Sequence, residues 1–238
     1  MIGSDWRGAR AEAFFRETGY WRHWSRVPDA PADIPYALAA VEPTHHSIVD
    51  VPCGRGRLLQ AIRVCRSDVR LFGFDINADM VRQAREAVPG GRVGVASVYS
   101  IPLPDRSVDL VICHESFMHF EDPAAALREL ARVAASALYI SVTTRRQLNT
   151  PLRRLGLLGT SDLPHWRYNI EDLRPLLTRY DFNWTVVGAF LFGSKAFRLS
   201  HEMHRRWHQR YGRRLPQWLL RRFGQTLFVY GRRKAPPE

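Results

Sequence analysis

Apolar residues along the chain fall into two rhythms. Short runs that are apolar at all but one or two positions stand at Ile48–Val51, Val69–Phe74, Val108–Cys113 and Ala137–Val142. Runs of this length without alternation predict strands buried on both faces, as in a parallel sheet. Between them apolar residues return at helical spacing. Leu58, Leu59 and Ile62 mark a helix over Arg57–Arg66, and Met80, Val81 and Ala84 mark one over Ala78–Ala87. Asp122 and Pro123 are start signals for a helix over Ala124–Val133. Glu171–Thr178 predicts the last regular helix, and Phe182–Phe192 and Gln225–Arg232 predict two further strands. Strands alternating with helices predict an α/β domain.

The periphery reads differently. Residues 4–25 predict a helix rich in aromatics, with Trp6, Phe14, Phe15, Tyr20, Trp21 and Trp24. Two readings stand side by side: a lid over a ligand site, or rings that simply pack on the domain. Pro28, Pro31 and Pro35 then interrupt regular structure, and Tyr36–Val41 predicts a short helix before the first long strand. Residues 145–169 form a long connection holding the segment Pro164–Tyr168. Within 193–224 a helical stripe of Leu199, Met203, Trp207 and Tyr211 runs among His201, His204, His208, Arg205, Arg206 and Arg210. That stripe suits either an interfacial helix on anionic lipid or packing on its own domain. His204 and His208 stand four apart, but no third ligand accompanies them in a metal-binding pattern, so no metal is expected.

Composition adds bounds. A chain of 238 residues that is 45% hydrophobic fits one α/β domain with modest additions. No apolar run approaches the ~18 residues that a membrane span needs. The first twenty residues hold Asp5, Glu12 and Glu17 and no apolar segment of the signal-peptide kind. Cys53, Cys65 and Cys113 form no C-x-x-C pair and read as reduced thiols, so a cytoplasmic protein is expected. The net charge of +12 is uneven, with +8 of it in residues 201–238. A basic tail of this kind suits nucleic acid, an anionic membrane or an acidic substrate.

The chemistry concentrates in Ser47–Ile62, read as S-I-V-D-V-P-C-G-R-G-R-L-L-Q-A-I. A strand that turns through Gly54 and Gly56 into a helix forms a ligand cradle, because glycine lets backbone approach a bound molecule closely. A dinucleotide fingerprint wants a third glycine where Leu59 stands, which argues against a nicotinamide enzyme. Asp75 ends the next strand, placed either to accept hydrogen bonds from the two hydroxyls of a ribose or to cap the following helix. Downstream come V-G-V-A-S-V-Y-S-I-P-L-P-D-R-S-V-D over 93–109 and H-E-S-F-M-H-F after Cys113.

In this order the four segments resemble the class I S-adenosylmethionine (SAM) dependent methyltransferases of the type 11 group, over residues 47–143. Asp50, Gly54 and Gly56 match the family's acidic residue and glycine turn, with Pro52 where its first glycine usually stands. Ser97 stands where the family often carries an acid near the adenine amino group, and His119 matches a histidine it commonly carries. The resemblance implies a Rossmann-like seven-stranded sheet, mostly parallel, with an antiparallel last strand and helices on both faces. It implies an N-terminal helical lid at 1–41 and a SAM-binding domain at 42–238, with a substrate loop at 145–169 and a basic helical insertion at 193–224. SAM is the implied cofactor, held by Asp50, Pro52, Cys53, Gly54, Gly56, Asp75, Ile76, Met80, Ser97, Val98, Tyr99 and His114. His119, His114 and Glu115 are the candidates for removing a proton, and Tyr20, His165, Trp166, Arg167 and Tyr168 for lining a substrate pocket.

Cys113-His114-Glu115-Ser116 lacks the [DNS]-P-P-aromatic segment of enzymes that methylate nucleic-acid amines. It also lacks the paired glutamates of protein-arginine enzymes. The expected acceptor is therefore a small or lipid-linked molecule, methylated on oxygen, and the arginines would suit an acidic one. The alternative reading is a nucleic-acid or anionic-membrane binding protein with a degenerate SAM site.

Overall fold

The computed structural model describes residues 3–4, 11–17, 33–145, 165–189 and 216–235. Strand β1 (Gly3–Ser4) and helix α1 (Ala11–Glu17) come first, followed by the short helix α2 (Ile34–Leu38). The sheet then begins with β2 (Ser47–Asp50), whose four residues are all buried. Helix α3 (Arg57–Cys65) returns the chain to β3 (Arg70–Asp75), and α4 (Ala78–Ala87) returns it to β4 (Arg92–Val95). Strand β5 (Val108–Cys113) ends in a 3-10 turn at Phe117–His119. Helix α5 (Pro123–Val133) leads without a loop into β6 (Ala134–Thr143). The remaining elements are β7 (Trp166–Arg167), α6 (Ile170–Leu177), β8 (Phe182–Ala189), α7 (Gln217–Phe223) and β9 (Thr226–Arg233).

Seven strands form one sheet in the order β4-β3-β2-β5-β6-β9-β8. β4 to β6 pair in parallel, and β9 lies antiparallel between β6 and β8. A separate two-stranded sheet pairs β1 with β7. This is the expected Rossmann-like sheet with its antiparallel last strand.

Side chains of a strand alternate between faces, so a sheet covered on both sides needs apolar residues at every position. β2 and β5 come near that demand, with polar residues only at Ser47, Asp50 and Asp109. Val49, Val111, Leu138 and Ile140 pack with α5 and α6 on one face. Ile48, Leu110, Ile112 and Ala137 pack with Leu59, Ile62 and Ala84 on the other. Each fully buried aliphatic of this kind contributes roughly 1.5–3 kcal/mol. Helix starts are fixed by side chains. Asn77 Oδ1 accepts from the N–H groups of Asp79 and Met80, and Asp122 Oδ1 accepts from that of Ala125.

Most element boundaries agree with expectation to within a residue, and the larger differences have physical reasons. The strand expected from Ala137 starts at Ala134, because α5 feeds it directly. The helix expected at Tyr36–Val41 lies at Ile34–Leu38, with Pro35 in its first turn. Proline there needs no N–H partner, so it starts the helix rather than breaking it. Ser4 was expected in a helix but sits in β1, where pairing with Trp166 satisfies its backbone. Of the helix expected at 4–25, Ala11–Glu17 is helical, and 5–10 and 18–25 lie outside the described residues. The stripe of Leu199, Met203, Trp207 and Tyr211 also lies outside them, as do residues 190–192 of the strand expected to reach Phe192. Among the described residues no helix is long and apolar enough to cross a membrane.

Candidate functional site

A cavity of about 520 Å³ opens at the carboxyl ends of β2, β3 and β5. Open α/β sheets bind ligands at this edge, because the strands diverge into loops there. Its floor is the turn after β2. Gly54 has φ +52° and Gly56 has φ +80°, the left-handed region that glycine tolerates without strain. The two glycines do different work. Gly54 lines the cavity, and a Cβ there would meet no atom within 4 Å. A Cβ on Gly56 would press on Ala84 Cα at 3.1 Å and Val88 Cγ2 at 3.2 Å. Gly56 is buried against α4 and is not part of the cavity wall, which corrects its expected place among cofactor contacts.

Asp75 lies at the end of β3, on the cavity wall. Its Oδ2 accepts from the Gly54 N–H at 2.8 Å, and its Oδ1 accepts from the Asn77 N–H at 2.9 Å. Burial pushes this carboxyl up from the usual aspartate range, and the backbone donors at Asn77, Gly54 and Ile76 pull it back. The helix-cap alternative for Asp75 fails, because Asn77 caps α4. Asp75 joins the glycine turn to the neighbouring strand and retains lone pairs for a ligand.

Pro52, Cys53, Ile76, Met80, Val98 and Tyr99 also line the cavity. Ser97 does not reach it as a wall residue. Its Oγ donates to Glu12 Oε1 and accepts from the Tyr99 N–H at 3.0 Å. Glu12 comes from α1 and does line the cavity, with Ala11 and Phe15 of the same helix. Further contacts hold α1 there. The Ala11 N–H donates to Glu121 Oε1, Asn77 Nδ2 donates to the Phe15 carbonyl at 2.9 Å, and the Phe15 ring lies 5.1 Å from that of His119.

The deepest wall is ionic. Asp50, 2% exposed, ends β2, and His114 and Glu115 follow β5 on the adjacent strand. His114 Nε2 lies 3.1 Å from Asp33 Oδ2, and His114 Nδ1 lies 3.5 Å from the Tyr139 hydroxyl. Burial disfavours the imidazolium, but Asp33, Glu115 and Asp50 together raise the His114 pKa. Burial likewise works against the Asp33 carboxylate, yet the His114 contact and Arg57 bring it below the usual range. Asp50 is pushed to about 8 by burial, with Asp75 adding repulsion and His114 opposing. Glu115 is pushed to about 7 by burial and by Asp33. Its backbone has φ +52°, uncommon for a residue with a Cβ, and its N–H donates to Ser141 Oγ at 2.6 Å.

The four expected substrate residues of the 145–169 connection that are described divide. His165 packs edge-on against His119, which lines the cavity, with ring centroids 5.4 Å apart. Trp166 and Arg167 form β7 against β1. Tyr168 is fully buried beside Phe117, with its N–H on the Thr143 carbonyl, so it holds the loop to the core and cannot touch a ligand. Tyr20 lies outside the described residues. Sequence reasoning missed Glu12 as a wall residue, and Asp33 altogether. Neither sits in a motif, and both reach the cavity only through tertiary packing. Among the described residues no group of histidine, cysteine and carboxylate side chains has the arrangement of a metal site.

Comparison with known proteins agrees with this geometry. Residues 49–139 match a family model described as "Methyltransferase domain". An uncharacterized methyltransferase of Schizosaccharomyces pombe is 27% identical over 140 residues, covering 54% of this chain and 48% of that protein. A probable S-adenosylmethionine-dependent methyltransferase of Mycobacterium tuberculosis is 29% identical over 113 residues, covering 48% of this chain and 40% of that one. The chain thus aligns with less than half the length of these two relatives. Among solved structures, magnesium protoporphyrin IX methyltransferase from Synechocystis with bound SAH superposes with a TM-score of 0.61. It shares 18% sequence identity, over 94% of this chain and 98% of that one, so the likeness is one of fold. Glycine turn, acid-ended second strand, strand order and family match converge: residues 49–139 match a methyltransferase domain, within a fold of the class I SAM-dependent methyltransferases, whose cofactor is S-adenosylmethionine.

Proposed function

We propose that the chain transfers a methyl group from SAM to a hydroxyl oxygen of a small acceptor. The observation that carries this is the bond between Asp75 and the Gly54 N–H at the cavity edge. It joins a carboxylate suited to ribose hydroxyls to a turn without side chains at its contact face. Asp75 and the turn from Pro52 to Gly54 would hold the nucleoside, with Met80, Val98 and Tyr99 bounding its base.

SAM supplies an electrophilic methyl on a positively charged sulfur. In the transfer an oxygen lone pair forms the new C–O bond, the C–S electrons leave on sulfur, and the hydroxyl proton goes to a base. Positioning alone contributes several kcal/mol to such a step. Of the candidate bases, His114 has Asp33 at one ring nitrogen and Tyr139 near the other. Glu115 fits better. It lines the cavity, its Oε1 has no hydrogen-bond partner, and its pKa of about 7 suits proton transfer near neutrality. His119, beside Phe15 and His165, would bound the acceptor instead.

The charge of the wall argues against the acidic acceptor that the arginine content suggested. Glu12, Asp33, Asp75, Glu121 and Asp122 line the cavity against Arg55 and Arg57, and Asp50 and Glu115 add acids that ionise near or above neutrality. A neutral or cationic acceptor suits this balance. Free thiols at Cys53, Cys65 and Cys113 support a cytoplasmic setting.

Calorimetric titration with SAM, followed by mass spectrometry of a panel of small phenols, alcohols and amines incubated with SAM, tests the reading. A bound cofactor and a 14 Da gain on a hydroxyl compound are expected. No heat and an unaltered melting temperature would sink it.

A further inference from the structure

Three carboxylates share the inner wall: Asp33 from the segment before α2, Asp50 at the end of β2 and Glu115 after β5. Each has one oxygen that is buried and without a hydrogen-bond partner: Asp33 Oδ1, Asp50 Oδ1 and Glu115 Oε1. Asp33 is 8% exposed and Asp50 2%. Buried polar groups are otherwise almost always paired, and leaving one unpaired costs roughly 1–3 kcal/mol. Three such oxygens, buried on residues that line one cavity, leave this wall short of positive charge. Arg57 acts on Asp33, while Asp50 and Glu115 have only His114, which all three carboxylates share.

We propose that Asp33, Asp50 and Glu115 form a charge-sensing wall for the cofactor: it binds the sulfonium form with release of protons and holds the neutral thioether product with release of fewer. This rests on the methyltransferase reading above and deepens it, by giving the site a means of telling spent cofactor from fresh.

The argument is one of charge balance. Asp50 faces Asp75 on β3, His114 after β5, Cys53 in the glycine turn and Cys113 of β5. Glu115 faces Asp33, His114, Ser141 and Tyr139. Near neutral pH the empty wall therefore keeps protons on these two acids, because burial outweighs the single imidazolium. A cation in the cavity reverses the balance, since an opposite charge nearby favours the ionised carboxylate. SAM and its product S-adenosylhomocysteine share an amino and a carboxylate group and differ by the methyl and the positive charge on sulfur. The ammonium acts on the wall alike in both, and only SAM adds a second positive charge, on sulfur, to draw further protons from it. After methyl transfer the charge is gone, the anions lose their partner, and the product is held less tightly.

The test needs no acceptor. Titrate the full chain with SAM and with S-adenosylhomocysteine at pH 7, in buffers of low and high ionisation enthalpy, which yields protons released per ligand. SAM should release about one-half to one proton more than S-adenosylhomocysteine, given acids poised near neutrality. The preference for SAM should grow about tenfold or more between pH 6 and pH 8, as that proton count requires. Glu115→Gln should shrink the difference, and Asp50→Asn should shrink it further. Equal proton counts for the two ligands in the wild-type chain would overturn the sensing wall and leave the methyltransferase reading standing. Absence of heat for both would overturn the two together.

Discussion

Ser97 Oγ donates a hydrogen bond to Glu12 Oε1, a residue 85 positions earlier in the chain. The family resemblance leads one to expect a carboxylate at position 97 itself. Here a serine stands on the core strand-loop segment and the carboxylate arrives from α1, on the cavity wall. The hydroxyl also accepts the Tyr99 N–H, so one side chain fixes both the loop that bounds the cavity and the acid that faces into it. Hydrogen bonds to a charged acceptor contribute about 1.5–3 kcal/mol, and each 1.4 kcal/mol is tenfold in binding. Glu12→Ala should therefore weaken SAM binding by roughly tenfold, and Ser97→Asp in that background should restore most of it. Calorimetric titration checks both, with melting temperatures to confirm folding. Unchanged affinity in Glu12→Ala would mean that Glu12 serves only to dock α1.

Asp75 has a heavier task. Its two oxygens each take a backbone N–H, one from the glycine turn and one from the segment that begins α4. Asp75→Ala frees both donors and removes the lone pairs left for a ribose. The expected result is a loss of SAM affinity on the order of tenfold or more. Asp75→Asn keeps an acceptor for one donor and should fall between. An alanine variant that binds SAM as well as the wild type would show that the carboxylate serves the turn alone.

The parts legible in sequence are those where one local signal sufficed. Ala78–Ala87 and Val108–Cys113 run over the residues that the sequence pattern assigned, because Asn77 caps the first and the second is apolar but for Asp109. Asp75 was legible because it ends a buried strand in register with the glycine turn. Gly56 was misjudged, since spacing cannot tell a glycine that makes room for a ligand from one that makes room for a helix. Asp33 and Glu12 were not recognised as wall residues for a related reason. Their positions depend on where the N-terminal chain lands, and pairing of Gly3 with Arg167 across the molecule is a tertiary fact without a local pattern. Tyr168 was expected to line a substrate pocket, and its complete burial places it in the core instead.

Asp50 makes stability depend on pH in a direction opposite to that of a salt-bridged carboxylate. Its folded pKa, about 8, lies above the unfolded value of 3.8, because burial disfavours the charge. Between these two values the unfolded chain has given up the proton and the folded chain retains it. Stability of the empty protein therefore falls as pH rises through this window. Glu115 adds the same trend between 4.5 and about 7. His114, raised above 6.5, adds the same trend from 6.5 upward, because the folded chain keeps that proton after the unfolded chain has lost it. Asp50→Asn removes the largest contribution. Its melting temperature relative to wild type should rise by several degrees on going from pH 5 to pH 8, at roughly 2–4 °C per kcal/mol for a chain of this size. Thermal scans of both proteins across that range check it, and a constant gap would contradict the assignment.

The two glycines of the turn should separate stability from binding. At Gly56 both obstacles act together: φ +80° disfavours any Cβ, and the space is filled by Ala84 and Val88 at 3.1–3.2 Å. Gly56→Ala must push α4 away from α3 or twist the turn, a loss of about 1–3 kcal/mol of the kind that overpacking produces. Gly54 has only the backbone penalty, about 1 kcal/mol for a left-handed residue with a side chain, since no atom lies within 4 Å of its Cβ position. Its methyl would stand beside the cavity that a ligand is to fill. Gly56→Ala should thus melt several degrees lower while its folded fraction binds SAM within a few-fold of wild type. Gly54→Ala should melt nearer to wild type and bind SAM markedly less well. Calorimetry and thermal scans on the pair decide the matter. The reverse pattern would place the nucleoside against Gly56 and would require the glycine turn to reorganise on binding.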